Sequence, residues 1–553
     1  MTLKEEIQKI IKGDADDSDK TLNEYSTDAS LFRVMPSLVV FPKSVEDIKK
    51  LVKFVGEEKK KKKGRNISLT ARSGGTDMTG GPLTESIVLV FTRYLNNLIE
   101  VGKDYAIVEP GMYYRDFEKE TLKKDLFMPS YPASREICAI GGIVSNNAGG
   151  EKTLRYGKTD RYVDTIYAVL ADGNEYEFYR VTEEELKKKM LLKTFEGKIY
   201  KEIFELIEKN YDILQKAKPD VTKNSSGYAL WDVYDKKNKT FDIAKIMVGS
   251  QGTLGIFTKI KFKLIHPQKV SKLLIIFLKD FSLIGELSSV ISPLKPETFE
   301  AYDDNTIKLA IRFFPEILQK IKGNIFKIIF NTLPEFWILI TSGIPKLVLL
   351  VEFSGQTTEE VNSYVKIAKK TIEEKVKGKF KMRIIKSDEE ARAFWVVRRE
   401  SFNLLRQHVR GLRTAPFIDD FSVRALHLPE FLPRLYEILN QYKILYTIAG
   451  HVGDGNFHII PLMDLSDHKS IEIIKTLSKK VYDLVLEFNG TITSEHNDGI
   501  IRTPFLLQAY GGEVYGLFEK TKYIFDPLNI FNPGKKVNGT FDYAEKHFNI
   551  ENK

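Results

Sequence analysis

Short apolar runs, bounded by glycine, proline and polar clusters, alternate along this chain with longer stretches that repeat apolar residues every three to four positions. Pro36-Ser-Leu-Val-Val-Phe-Pro42 reads as a buried strand. Ser44-Val-Glu-Asp47 then supplies an N-cap serine and an acidic first turn, which predicts a helix to about Val55. Ile67-Ser-Leu-Thr70 is the next strand, so the chain opens β-α-β after a short helix and polar lead-in over 1–30. Further strands are predicted at Ile87–Phe91 and Tyr105–Gly111. Leu273–Leu278 and Lys346–Phe353 are strands followed by helices over Phe281–Val290 and Thr358–Lys375. Strand–helix units followed by hairpins predict an antiparallel sheet with helices on one face.

At 553 residues the chain exceeds one ordinary core, and two or three domains are expected. Its net charge of +9 is carried mostly by lysines on amphipathic helices and by the run Lys59–Lys63. No basic stripe is interleaved with aromatics, so nucleic acid is not an expected partner; an anionic membrane surface stays open. Ile311–Phe330 is basic and amphipathic, marking an insertion at about 311–345 that packs on its domain or touches a membrane. The most apolar region, Ile325–Phe353, is broken by Lys327, Pro334, Glu335, Gly343 and Pro345 and falls short of a spanning helix. The start of the chain shows no apolar signal core. The single cysteine, Cys138, fits a reducing compartment and excludes a cysteine-ligated iron–sulfur cluster in this chain. The expected location is the cytoplasm, with peripheral contact at the inner membrane face as its extension.

Three glycine-marked segments follow buried strands: Ala71–Gly81, Ile140–Gly150 and Ile246–Ile256. Such loops let backbone N–H groups converge on an anion, and a diphosphate is the natural occupant. The spacing matches neither G-x-G-x-x-G nor the P-loop, and each loop alone could be a tight turn. Tyr446–Leu462 reads as a hairpin closed by Asp454-Gly455 in a two-residue turn, which would set His451 directly opposite His458. Two imidazoles on one face can share a divalent ion, and Glu495 could complete the set; the competing reading of each His is a hydrogen-bonded core residue. His496, beside Glu495, is a candidate base, provided that Asn497-Asp498-Gly499 bends the chain. Asn456 could hold a substrate oxygen. In Phe394-Trp-Val-Val-Arg-Arg399 the two arginines point roughly 100° apart on a helix, and one aimed into a pocket would grip a carboxylate.

Arg72–Thr76, Ile140–Gly150 and Gly249–Ile256 together resemble the FAD-binding domain of the vanillyl-alcohol-oxidase-type flavoproteins. Gly450–His458, Glu495-His496 and Asp526–Gly534 resemble the branch that contains the FAD-linked D-2-hydroxy-acid dehydrogenases, acting on D-lactate, D-2-hydroxyglutarate or glycolate. The resemblance implies an α+β chain. After the lead-in at 1–30 come a two-subdomain FAD-binding domain over 31–268, an antiparallel-sheet and helix cap over 269–500, and a segment at 501–553 that packs back on the FAD domain. It implies FAD pyrophosphate on Ser73, Gly74, Gly75, Thr76 and Asp77. Pro132, Ser134, Gly141, Gly142, Asn146, Ala148, Gly149, Ile256 and Asn532 surround the rest of the cofactor. Thr76 stands where some relatives carry the tethering His, so FAD is expected to be non-covalent. Arg398 maps to the family's substrate arginine.

The expected reaction is oxidation of a D-2-hydroxy acid to the 2-oxo acid, with hydride passing to flavin N5. His451, His458 and Glu495 are the expected ligands of a divalent metal, zinc being favoured, which would acidify the substrate hydroxyl. His496 would take its proton, Arg398 would fix the carboxylate, and electrons would leave to a quinone or a protein acceptor. Relatives commonly carry Glu-His-Gly where this chain has Glu495-His496-Asn497; that variant resembles a branch joined to an iron–sulfur part, here necessarily a separate subunit. Two alternatives stay open: an oxygen-reducing alcohol or lactone oxidase of the same fold, and a non-catalytic FAD-binding electron-transfer subunit.

Overall fold

The computed structural model describes residues 1–312, 343–408 and 411–550, with 400–408 described as backbone only. The expected insertion at about 311–345 therefore lies, from 313 to 342, outside the described residues.

Three sheets carry the architecture. The first has four strands in the order Asp14–Asp16, Leu38–Phe41, Ile87–Val90, Leu69–Arg72, the last three mutually parallel. Between Leu38–Phe41 and Leu69–Arg72 runs the expected helix, Val45–Lys60, capped by Ser44 accepting from the Asp47 N–H. It ends beyond Val55 because the apolar stripe Ile48, Leu51, Val52, Val55 continues onto the C-terminal residue Ile530. The second sheet is antiparallel, with Ile256–Lys263 at its centre between Tyr105–Val108 and Val163–Val169.

The third sheet has eight strands, and every pairing in it is antiparallel. Val270–Leu278 shows why both its faces are covered. Leu274, Ile276 and Leu278 point into one core with Leu287, Val365, Leu435 and Val481 from helices Ile284–Ile291, Thr358–Lys375, Leu428–Leu439 and His468–Glu487. Leu273, Ile275 and Phe277 point the other way, against Ile307, Phe394 and Trp395. The expectation of helices on one face is thus corrected: helices Asp304–Arg312 and Asp388–His408 cover the second face, because the strand is apolar at every position from Leu273 to Leu278.

The C-terminal segment returns to the first sheet. Ile530 and Asn532 exchange backbone hydrogen bonds with Leu69, and the Asn532 side chain donates to the carbonyls of Gly81 and Gln251. No helix among the described residues is long and apolar enough to cross a membrane.

Candidate active site

Strand Leu69–Arg72 delivers the first glycine loop to the wall of a cavity of about 830 Å³, a size typical of ligand and cofactor sites. Gly75 is left-handed (φ +68), and a Cβ there would stand 2.5 Å from the Arg72 guanidinium. That guanidinium donates to the carbonyls of Tyr25 and Thr27, tying the lead-in to the loop. The N–H groups of Gly74, Gly75 and Thr76 find no acceptor among the described residues.

The second cluster, expected as a loop, is a short helix, Ile140–Asn146, closed by left-handed Asn147 (φ 47). Its propensity is poor, and packing decides its form: a Cβ on Gly141 would lie 2.7 Å from both Pro110 and Ser73 Oγ. The wall includes Ser73–Asp77, Pro132, Ser134, Gly141, Gly142, Asn146 and Ala148. A wall of small residues with backbone N–H groups unpaired among the described residues fits an extended dinucleotide diphosphate. Of the other residues expected around FAD, Gly149, Ile256 and Asn532 stand behind this wall. Gly149 packs on Glu495, Ile256 fills the core with Val169, and Asn532 is spent on loop carbonyls.

Arg398, Arg399, His451, His458, Glu495 and His496 line the same cavity. The hairpin register differs from expectation. His451 pairs with Asn456, and His458 with Ala449. Val452–Asp454 form a 3₁₀ turn closed by left-handed Gly455 (φ +62), so the connection has four residues rather than two. A register shift of two preserves the face, and the imidazoles meet diagonally with ring centroids 5.2 Å apart.

Glu495 joins them. Its Oε1 lies 3.2 Å from His451 Nε2 and 3.3 Å from His458 Nε2. Each separation alone suits two ligands of one ion with bonds of roughly 2.1 Å; the donors that all lie within 4.8 Å of one another are those of Asp420, His458, Glu495 and His496, without His451. The other ring nitrogens are held by carboxylates: His451 Nδ1 is 2.5 Å from Glu300 Oε1, and His458 Nδ1 is 3.0 Å from Asp419 Oδ1. Paired carboxylates of this kind orient metal-binding imidazoles. His496 stacks on His458 (5.1 Å, 24°), with Nδ1 2.6 Å from Asp419 Oδ2. Arg398 pairs with the second oxygen of Glu300, and its Nε is buried without a partner among the described residues.

The bend at Glu495-His496 is built by Asp420. Itself left-handed (φ +70), it turns one oxygen to accept the N–H groups of Ser494, Glu495 and His496 at 2.9, 2.8 and 2.6 Å and the Thr493 hydroxyl. Asp420 can be grouped with His458, Glu495 and His496 as a cation-binding set, but with that oxygen so engaged it is a poor ligand. Asn456, expected to touch substrate, is fully buried and donates to Asp420 Oδ1 and the Phe421 carbonyl. It shares the hairpin face of His451 and His458, but its amide is spent on Asp420 and Phe421 and so supports the bend.

Charge compensation is dense. Burial alone would raise the Glu300 carboxyl, but Arg398 and His451 hold it down at about 2. Burial would lower His458, yet Asp419 and Glu495 lift it to about 10; His496 is likewise raised, burial being overcome by Asp420 and Asp419. Glu495 is held well below its ordinary value, burial being outweighed by Lys223 and His451. Glu300, Asp419, Asp420 and Lys223 escaped sequence reasoning. For the three acids the only sequence signal is a charge inside an apolar run, as in Thr298-Phe-Glu-Ala-Tyr-Asp303 and Phe417-Ile-Asp-Asp-Phe421; Lys223, in the polar stretch Thr222-Lys-Asn-Ser-Ser226, gives none.

Two family descriptions match the chain: "FAD binding domain" over residues 36–179 and "FAD linked oxidases, C-terminal domain" over 268–536. The chain thus carries an FAD binding domain followed by an FAD linked oxidase C-terminal domain. Its similar relatives are more specific. D-2-hydroxyglutarate dehydrogenase of Pseudomonas putida is 24% identical over 92% of this chain and 49% of its own length. Glycolate oxidase subunit GlcD of Bacillus subtilis is 26% identical, over 94% of this chain and 93% of its own. D-lactate dehydrogenase of Archaeoglobus fulgidus is 24% identical, over 90% and 91%. The chain thus spans about half the length of the first of these relatives. Among solved structures, 4-ethylphenol oxidase from Gulosibacter chungangensis superposes with a TM-score of 0.66 at 15% identity, covering 97% of each chain. p-Cresol methylhydroxylase gives 0.65 at 16%, covering 96% of each. The fold is the vanillyl-alcohol-oxidase type.

Proposed function

We propose that this chain oxidises a D-2-hydroxy acid to the 2-oxo acid. The names of the relatives supply the substrate class, D-lactate, D-2-hydroxyglutarate and glycolate being the candidates. The observation that carries the reading is the convergence of His451 and His458 on one oxygen of Glu495, beside His496 and Arg398, on the wall of the flavin cavity.

When bound, FAD supplies the hydride acceptor. A divalent ion held by His451 Nε2, His458 Nε2 and Glu495 Oε1 would polarise the substrate hydroxyl; zinc suits this donor set. The chain's own groups do the rest. Arg398, on the cavity wall with its charge fixed by Glu300, takes the substrate carboxylate and so fixes the direction of the α-C–H bond. His496 is oriented by Asp419 at Nδ1, leaving Nε2 to accept the hydroxyl proton. Positive charge held at the three donors lowers the proton affinity of His496 and opposes the lift from Asp419 and Asp420. The electrons would leave to a quinone or a protein partner, an iron–sulfur protein among the candidates.

The test mixes FAD-loaded protein anaerobically with D- and L-2-hydroxy acids and follows the oxidised flavin absorbance. Bleaching by one D-acid, lost after chelation, supports the reading. Failure of every hydroxy acid, with chemical reduction intact, rejects the substrate class.

A further inference from the structure

Lys223 is fully buried, an unusual position for a lysine. Its Nζ lies 3.1 Å from Glu495 Oε2, 3.4 Å from Asp454 Oδ2 and 3.3 Å from the Gly150 carbonyl. Asp454 is in the tip of the hairpin that carries His451 and His458, and its Oδ1 accepts the Thr222 hydroxyl at 2.6 Å. One ammonium therefore bridges the two segments that carry the three donors. Glu495 is divided by it: Oε1 faces the imidazoles and Oε2 faces Lys223. A second observation concerns the same oxygen. A Cβ on Gly149 would lie 3.0 Å from Glu495 Oε2, so the missing side chain makes the room in which that oxygen sits beside Lys223.

We infer that Lys223 is a positioning residue that, with Gly149, restricts Glu495 to binding a cation through Oε1 alone and staples it to the hairpin tip. This rests on the reading of His451, His458 and Glu495 as metal donors. A carboxylate that turned both oxygens to the ion would fill a coordination position that a substrate hydroxyl needs, so the lysine keeps that position open. It also explains why a lysine is buried here: its charge is matched by Glu495 and Asp454, and burial of the ammonium is offset by paired oxygens.

The test is the visible spectrum of the FAD-depleted protein loaded with Co²⁺ in place of zinc. Wild type is expected to show the strong absorption of a four-coordinate ion. In Lys223→Met the freed Oε2 joins the ion, and that absorption weakens, or the ion is lost while FAD still binds on reconstitution. Gly149→Ala, which retains Lys223, presses on the same oxygen and is expected to alter the spectrum too; it decides the matter if Lys223→Met does not fold. Wild-type spectra in either folded variant overturn the inference while leaving the metal site standing. A wild-type protein that takes up neither Co²⁺ nor Zn²⁺ overturns both.

Discussion

The carboxylates behind the histidines explain why single changes here should separate binding from chemistry. His496→Ala removes the proton acceptor and leaves the glycine loops untouched. Its expected result is unchanged FAD content with flavin reduction by the hydroxy acid slowed roughly 100-fold or more. Asp419→Asn releases His458 Nδ1 and His496 Nδ1 together. Loss of such a carboxylate is expected to lower metal affinity or turnover about 10–100-fold, measured by chelator competition and by single-turnover rates. The cluster of His451, His458 and Glu495 was legible in the sequence because the three lie in two short motifs. Their carboxylate partners were not: Glu300 stands 151 positions before His451, and a buried acid is indistinguishable from a surface one until packing is known.

At the scale of elements, the hairpin is the instructive case. The dipeptide Asp454-Gly455 correctly marks a turn, but its type depends on Val423, whose carbonyl would stand 1.7 Å from a Cβ on Gly455. Gly455→Ala is therefore expected to destabilise the protein by about 1–3 kcal/mol and to loosen the His451–His458 pair, read from urea unfolding and from metal content. The helix Ile140–Asn146 was invisible to propensity for a related reason: contact with Ser73 and Pro110 forms it. Asp303 illustrates a pH effect away from the site. It ends strand Thr298–Asp303 and caps the next helix by accepting the Thr306 N–H at 2.9 Å. Burial, opposed by those hydrogen bonds, pushes its carboxyl up to about 6. Its folded pKa exceeds its unfolded one, so between about pH 4 and 6 the folded state binds more protons, and stability falls as pH rises through that window. Asp303→Asn keeps the cap and is expected to flatten that fall in thermal melts between pH 4 and 7.

For the whole molecule, apolar periodicity was enough to place the β-α-β opening, two strands and the hairpin of the eight-stranded sheet, and helix Thr358–Lys375 at its observed bounds. What it could not convey is how distant segments meet. Loop Ser494–His496 reaches the hairpin through Asp420, and Asn532 closes the chain onto the first glycine loop. Asn532→Ala would leave the Gly81 and Gln251 carbonyls without a donor, at a cost of about 1–3 kcal/mol for each group left buried and unpaired. Lower FAD retention on gel filtration, with a lowered melting temperature, is the expected result.

The account depends above all on a cation at the meeting point of hairpin and bend. Anomalous X-ray scattering above and below the zinc edge, from crystals of the FAD-loaded protein, tests it most directly. The predicted result is one peak within coordination distance of His451 Nε2, His458 Nε2 and Glu495 Oε1. No peak at any transition-metal edge, with Glu495 joined to the two imidazoles by hydrogen bonds alone, would contradict it.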